Sequence, residues 1–147
     1  MQRFFIADAK GHEGKEVEVK GWLYNRRSSG KIHFLQVRDG SGIIQCIVEK
    51  KNCDEALFEK LANLNYESSL IVTGSLRADK RAPGGYELDT TKIEIVHESE
   101  PYPITPKEHG TSFLMDHRHL WLRYLLMSAR PAQIADLIAN QTPVTKT

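Results

Sequence analysis

The stretch Lys31-Ile32-His33-Phe34-Leu35-Gln36-Val37-Arg38-Asp39-Gly40-Ser41-Gly42-Ile43-Ile44-Gln45-Cys46-Ile47-Val48-Glu49 reads as two strands joined by a tight turn. Asp39-Gly40-Ser41-Gly42 carries the turn chemistry, since its glycines accept backbone angles that other residues resist. On the first arm His33, Leu35 and Val37 share one face, and Ile32, Phe34, Gln36 and Arg38 share the other. Leu35 and Val37 suit an interior, as do Ile44, Cys46 and Val48 on the second arm. That alternation predicts Phe34, Gln36 and Gln45 on the outer face.

Working outward, Glu16–Arg27 shows the same period, with Val17, Val19, Gly21 and Leu23 on one side. Ser28-Ser29-Gly30 predicts the turn that follows. Downstream the period changes. Asp54–Leu64 places Leu57, Leu61 and Leu64 at helical spacing with Phe58 beside them, and Asn52 or Asp54 is placed to cap its start. Strand periodicity returns over Ser68–Ala78, a loop covers Asp79–Gly85, and a fifth strand spans Tyr86–Val96. Three strands, a helix and two strands predict an all-β fold, a five-stranded OB barrel over residues 1–98, with the helix plugging one end. Glycines 21, 42 and 74 fit the bends of such a barrel.

Beyond it, Pro101, Pro103 and Pro106 forbid a central strand and predict an extended linker over residues 99–123. Residues 124–147 differ again. Pro131 is placed to start a short helix carrying Ile134, Leu137 and Ile138, with a frayed end.

Composition is that of a soluble globular protein, 40% hydrophobic and 27% charged. A net charge of +1 gives no bulk argument for nucleic acid. The local distribution does. Lys20, Arg26, Arg27, Lys31 and Arg38 face one acid, Asp39, across the first hairpin, which is the footprint of a phosphate-binding surface. Two cysteines form no disulfide framework or zinc site. The absence of a signal peptide and of a long apolar run predicts a cytoplasmic protein without a membrane partner.

An aromatic ring in a basic field is a stacking platform for a base, so Phe34 is the leading candidate. The bland alternative packs Phe34 under a neighbouring loop. Gln45 and Gln36 offer amide donors and acceptors beside it. Arg26 and Arg27 enter the hairpin turn, and periodicity leaves open which of them faces a ligand. Lys31, Arg81 and Glu87 complete the candidate set, the last two in the segment Lys80–Glu87 that leads from the fourth strand into the fifth. His109, Asp116, His117 and His119 suggest a metal, but no second cluster completes a site. No nucleophile–base arrangement stands out, and the glycine pairs lack the spacing of a phosphate loop.

Three stretches carry a family resemblance. Residues 21–40, from Gly21-Trp22-Leu23 to Arg38-Asp39-Gly40, resemble the first hairpin of the class II tRNA synthetases for asparagine, aspartate and lysine. Arg81-Ala82-Pro83-Gly84-Gly85-Tyr86-Glu87-Leu88 is similar to the loop between strands four and five of the asparagine enzyme. Tyr102-Pro103-Ile104-Thr105-Pro106-Lys107-Glu108-His109-Gly110 and the run from Phe113 to Arg123 resemble its inter-domain hinge. The resemblance covers roughly residues 1–123. It implies an anticodon-binding domain in which Phe34 stacks on the central anticodon uridine, Gln45 bonds its edge, Arg27 lies at the same pocket, and Glu87 helps read a flanking base. The implied partner is the anticodon loop of asparagine tRNA, with a catalytic domain or a homodimer in full-length relatives. The three class II motifs are missing from residues 1–147, so the chain is expected to recognise without catalysing. ATP and magnesium are expected only for the catalytic domain. Two alternatives remain from the residues: a sequence-tolerant single-strand binder, and a protein-interaction module.

Overall fold

The structure, a computed structural model, describes residues 4–101, 103 and 110–122. The strands are β1 (Glu16–Ser29), β2 (Ile32–Arg38), β3 (Ile43–Glu49), β4 (Ser69–Ala78) and β5 (Tyr86–His97). They close into a barrel in the order β1-β2-β3-β5-β4, with β3 and β5 parallel and the other pairs antiparallel. A helix, α1 (Glu55–Asn63), lies between β3 and β4 in sequence. This is the architecture that the alternation predicts.

The inward residues are those the period selects. Val19, Leu23, Leu35, Val37, Cys46, Val72 and Leu88 have no exposed surface, and Phe58 and Leu61 of α1 are buried with them. Burial pushes the Cys46 thiol up to about 12, which makes it a small inert apolar side chain. His33, also inward, stacks on Phe58 at 3.8 Å and bonds the Phe58 carbonyl through Nε2 at 2.9 Å. Its Nδ1 shares a second hydrogen bond with the Ser28 hydroxyl at 2.8 Å. The imidazole thus ties the first hairpin to α1.

Three local readings change. β1 runs on to Ser29, because Ser28 and Ser29 pair with His33 and Ile32 rather than turning. The reversal is the two residues Gly30 and Lys31, with Gly30 at φ 58. At α1 neither proposed cap is used. Asp54 stands at the N-cap without a side-chain bond, and the Asn52 amide donates to the Thr90 carbonyl.

Contacts divide the chain into two units, Met1–Tyr102 and Pro103–Thr147. In the second, α2 (Thr111–Asp116) is followed by His117, whose ring lies 4.5 Å from that of Phe113 and whose Nδ1 donates to the Phe113 carbonyl. The helix predicted after Pro131 and linker residues 102, 104–109 (His109 among them) and 123 lie outside the described residues, whereas Thr111–Asp116 of the linker is helical rather than extended. No helix among the described residues is long and apolar enough to cross a membrane.

Candidate nucleic-acid interface

Which arginine faces outward is decided by a bulge. β1 is in phase with β2 at Leu23↔Val37, but the next pair is Asn25↔Gln36, so Tyr24 is an extra residue. A bulge of this kind inverts the alternation beyond it and re-aims the side chains. Arg26 then pairs with inward Leu35, and Arg27 with outward Phe34. The Arg26 guanidinium is directed to α1. It donates from Nε to the Leu64 carbonyl at 2.8 Å and from Nη1 to that of Ala62, and lies 5.5 Å from the Tyr66 ring centre. These carbonyls end the helix and have no intrahelical donor, so Arg26 acts as its C-terminal cap. Arg27 lies instead over the Phe34 ring, with Cζ 4.7 Å from its centre.

Arg26→Ala is accordingly expected to destabilise the barrel by about 2 kcal/mol, the scale of bonds from a charged donor to partly buried carbonyls. Urea denaturation measures it. A midpoint equal to that of the parent would show that the cap is dispensable.

Two outward rows run across the sheet. One is Arg27, Phe34, Ile47, Asp89 and Ser75, each paired with the next. The other is Asn25, Gln36, Gln45, Glu87 and Arg77. They are two residues apart along the strands, roughly 7 Å. Phe34, Gln36 and Gln45 are each half-buried, which leaves part of the ring and of both amides accessible. Phe34 thus sits on the open face, in contact with a cation.

Glu87 is 3% exposed although it lies on the outer face. Arg77 crosses from β4 and donates to its Oε1 from Nε at 2.8 Å and also from Nη2. Arg81 stands apart from both rows, with its side chain 93% exposed and its nearest ion-pair partner Asp79 at 3.5 Å. Its loop is a closed turn, held by Asp79 N to Gly85 O at 3.1 Å and Ala82 N to Asp79 O at 3.0 Å. Gly84 and Gly85 supply the positive φ angles, 77° and 82°. Lys31 is exposed at the tip of the first hairpin.

The structure therefore brings Arg27, Phe34, Gln36, Gln45 and Glu87 onto one surface. Arg26, Lys31 and Arg81 lie off the two rows. Asn25 and Arg77 join the surface without having been selected from sequence. Arg77 alternates outward next to inward Leu76, and its value lies in a partner ten positions away that only the β4–β5 register reveals. Among the described residues no group of three His, Cys, Asp or Glu side chains is arranged to hold a metal ion.

A family model for the OB-fold nucleic acid binding domain, tRNA anticodon type, matches residues 17–96. The chain is 58% identical over 115 residues to the asparagine–tRNA ligase of Koribacter versatilis, covering 76% of this chain and 26% of the relative. It is 53% identical over 129 residues to that of Pelotomaculum thermopropionicum, covering 88% and 30%. The asparaginyl-tRNA synthetase of Pyrococcus horikoshii, solved with asparaginyl-adenylate, superposes with a TM-score of 0.71 at 37% identity over 84% of this chain and 29% of that one. The chain thus spans under a third of the length of these relatives. A barrel of this topology, with this face and these relatives, belongs to the family of OB-fold nucleic acid binding domains, as the anticodon-binding domain of an asparaginyl-tRNA synthetase.

Proposed function

We propose that the barrel recognises the anticodon loop of asparagine tRNA by stacking one base on Phe34 and bonding the edges of that base and a neighbour. The observation that carries this is the juxtaposition of Arg27 with Phe34 in one row and Gln45 with Glu87 in the next. A half-exposed ring with a guanidinium over it offers a base both a π surface and a cation for the adjoining phosphate. The Gln45 amide supplies a donor and an acceptor together, the pattern that a uracil edge requires. Lys31 and Arg81, exposed at the two loops, add charge along the backbone path.

In this reading the chain works with a catalytic domain that supplies the ATP and magnesium chemistry, in the cytoplasm where tRNA is charged. The barrel's own residues bind and orient RNA.

Titration of labelled anticodon stem-loops tests the reading. The asparagine sequence is expected to bind about tenfold more tightly than the same loop with its central uridine replaced by cytidine, the effect of one mispaired edge. Equal binding of both, or of a scrambled loop, would favour a sequence-tolerant binder. No binding at modest salt would leave a protein-interaction module.

A further inference from the structure

Glu87 is held unevenly. Both bonds from Arg77 end on Oε1, and Oε2 has no partner among the described residues. The carboxylate is nearly buried, its side chain 5% exposed, while the Arg77 side chain is 59% exposed. A buried carboxylate without a cation is expensive, so the ion pair is what allows an anionic group on this face. Glu87 is the strongest attraction on the Arg77 guanidinium, with Asp89 and Asp79 adding weaker ones. Asp79 accepts from the Arg81 backbone N–H at 2.8 Å, and Asp89 lies in the neighbouring row. On its other side Glu87 pairs in register with Gln45.

We propose that Arg77 is a positioning residue for base selection. By fixing Oε1 of Glu87, it turns Oε2 to the base flanking the one stacked on Phe34 and selects a base whose edge presents N–H donors. This rests on the anticodon-binding reading and adds a residue to it. The chemistry follows from the acceptor count. An ionised carboxylate accepts and cannot donate. With one oxygen taken, it offers a single charged acceptor in a dry setting, where such a bond is strong. Guanine presents N1–H beside its exocyclic amine and satisfies this acceptor twice. Adenine places an unprotonated N1 beside its amine and sets a lone pair against the carboxylate. A freely rotating glutamate could turn away from adenine N1 and accept from the exocyclic amine alone, so Arg77 sharpens the discrimination by holding the carboxylate in place.

The test uses the 147-residue chain with anticodon stem-loops carrying guanine, adenine or uracil at each position flanking the central uridine. The parent is expected to prefer guanine over adenine at one flank by about tenfold. Arg77→Met should bring that ratio to within about threefold, while the loss caused by Phe34→Ala stays the same. In a Glu87→Gln background, Arg77→Met should leave the ratio unmoved, because residues acting through one group are non-additive. Arg77→Lys, which keeps the charge but not the planar fork, should restore part of the ratio. If Arg77→Met lowers thermal stability and weakens all loops equally with the ratio intact, Arg77 is only structural and the proposal fails. A parent that reads the central uridine but neither flank also overturns it and leaves the anticodon reading standing. A parent that binds no stem-loop overturns both.

Discussion

Phe34→Ala is expected to weaken binding of the asparagine anticodon stem-loop by about 2 kcal/mol, roughly thirtyfold, the usual worth of one stacked base. The size follows from the position. Phe34 is paired with Arg27 on one side and Ile47 on the other, outside the buried core. Truncation removes the ring from the binding face and frees the Arg27 guanidinium that lies over it. It opens no fully buried cavity, so stability should change by much less than in a core truncation. Fluorescence anisotropy titration gives the affinity, and circular dichroism checks that the barrel remains. Phe34→Tyr should keep most of the affinity, because the π surface survives. An alanine variant that binds within twofold of the parent would remove stacking from the mechanism.

Gly74→Ala should lower the stability of the barrel by about 3 kcal/mol. A Cβ at this position would stand 2.2 Å from the Asp89 carbonyl oxygen, 2.8 Å from its carbon and 2.9 Å from the Thr90 Cα. The obstructing atoms are backbone, so no side chain can rotate away, and β4 and β5 must separate where the register already shifts between Thr73 and Gly74. Against this stands the stabilisation that alanine gains by restricting the unfolded chain, at most about 1 kcal/mol. The clash wins. Gly42→Ala is the control, since its Cβ would meet Ile6 alone, at Cγ2 3.0 Å and Cβ 3.6 Å away, both side-chain rather than backbone atoms. Chemical denaturation of both variants decides the matter. A Gly74→Ala midpoint at or above that of the parent would mean that the strands are free to give.

The barrel was legible because burial imposes a period of two, and β2 and β3 obey it without interruption. Phe34, Gln36 and Gln45 could be placed outward for the same reason. The first hairpin was less legible. Ser28 and Ser29 have turn chemistry, yet cross-strand pairing and the Ser28–His33 bond hold them in the strand, where tertiary contacts override local preference. The two arginines could not be sorted because Tyr24 carries no glycine or proline to announce a bulge. Arg77 was invisible for a different reason. Its meaning depends on facing Glu87 across a hairpin, and alternation along one strand contains no information about register between two.

Five strands contribute to the row from Asn25 to Arg77, and its members are joined through both the β1–β2–β3 meander and the parallel β3–β5 seam. A growing polypeptide therefore acquires this surface in stages. The Phe34 and Gln45 arms can meet early, since their hairpin is local, whereas the seam must wait for distant segments to close at an entropic cost. On the proposed reading, discrimination is then the last property to appear during synthesis. A half-made chain carries the basic, aromatic part of the surface without Glu87, the carboxylate to which the proposal assigns the choice of base.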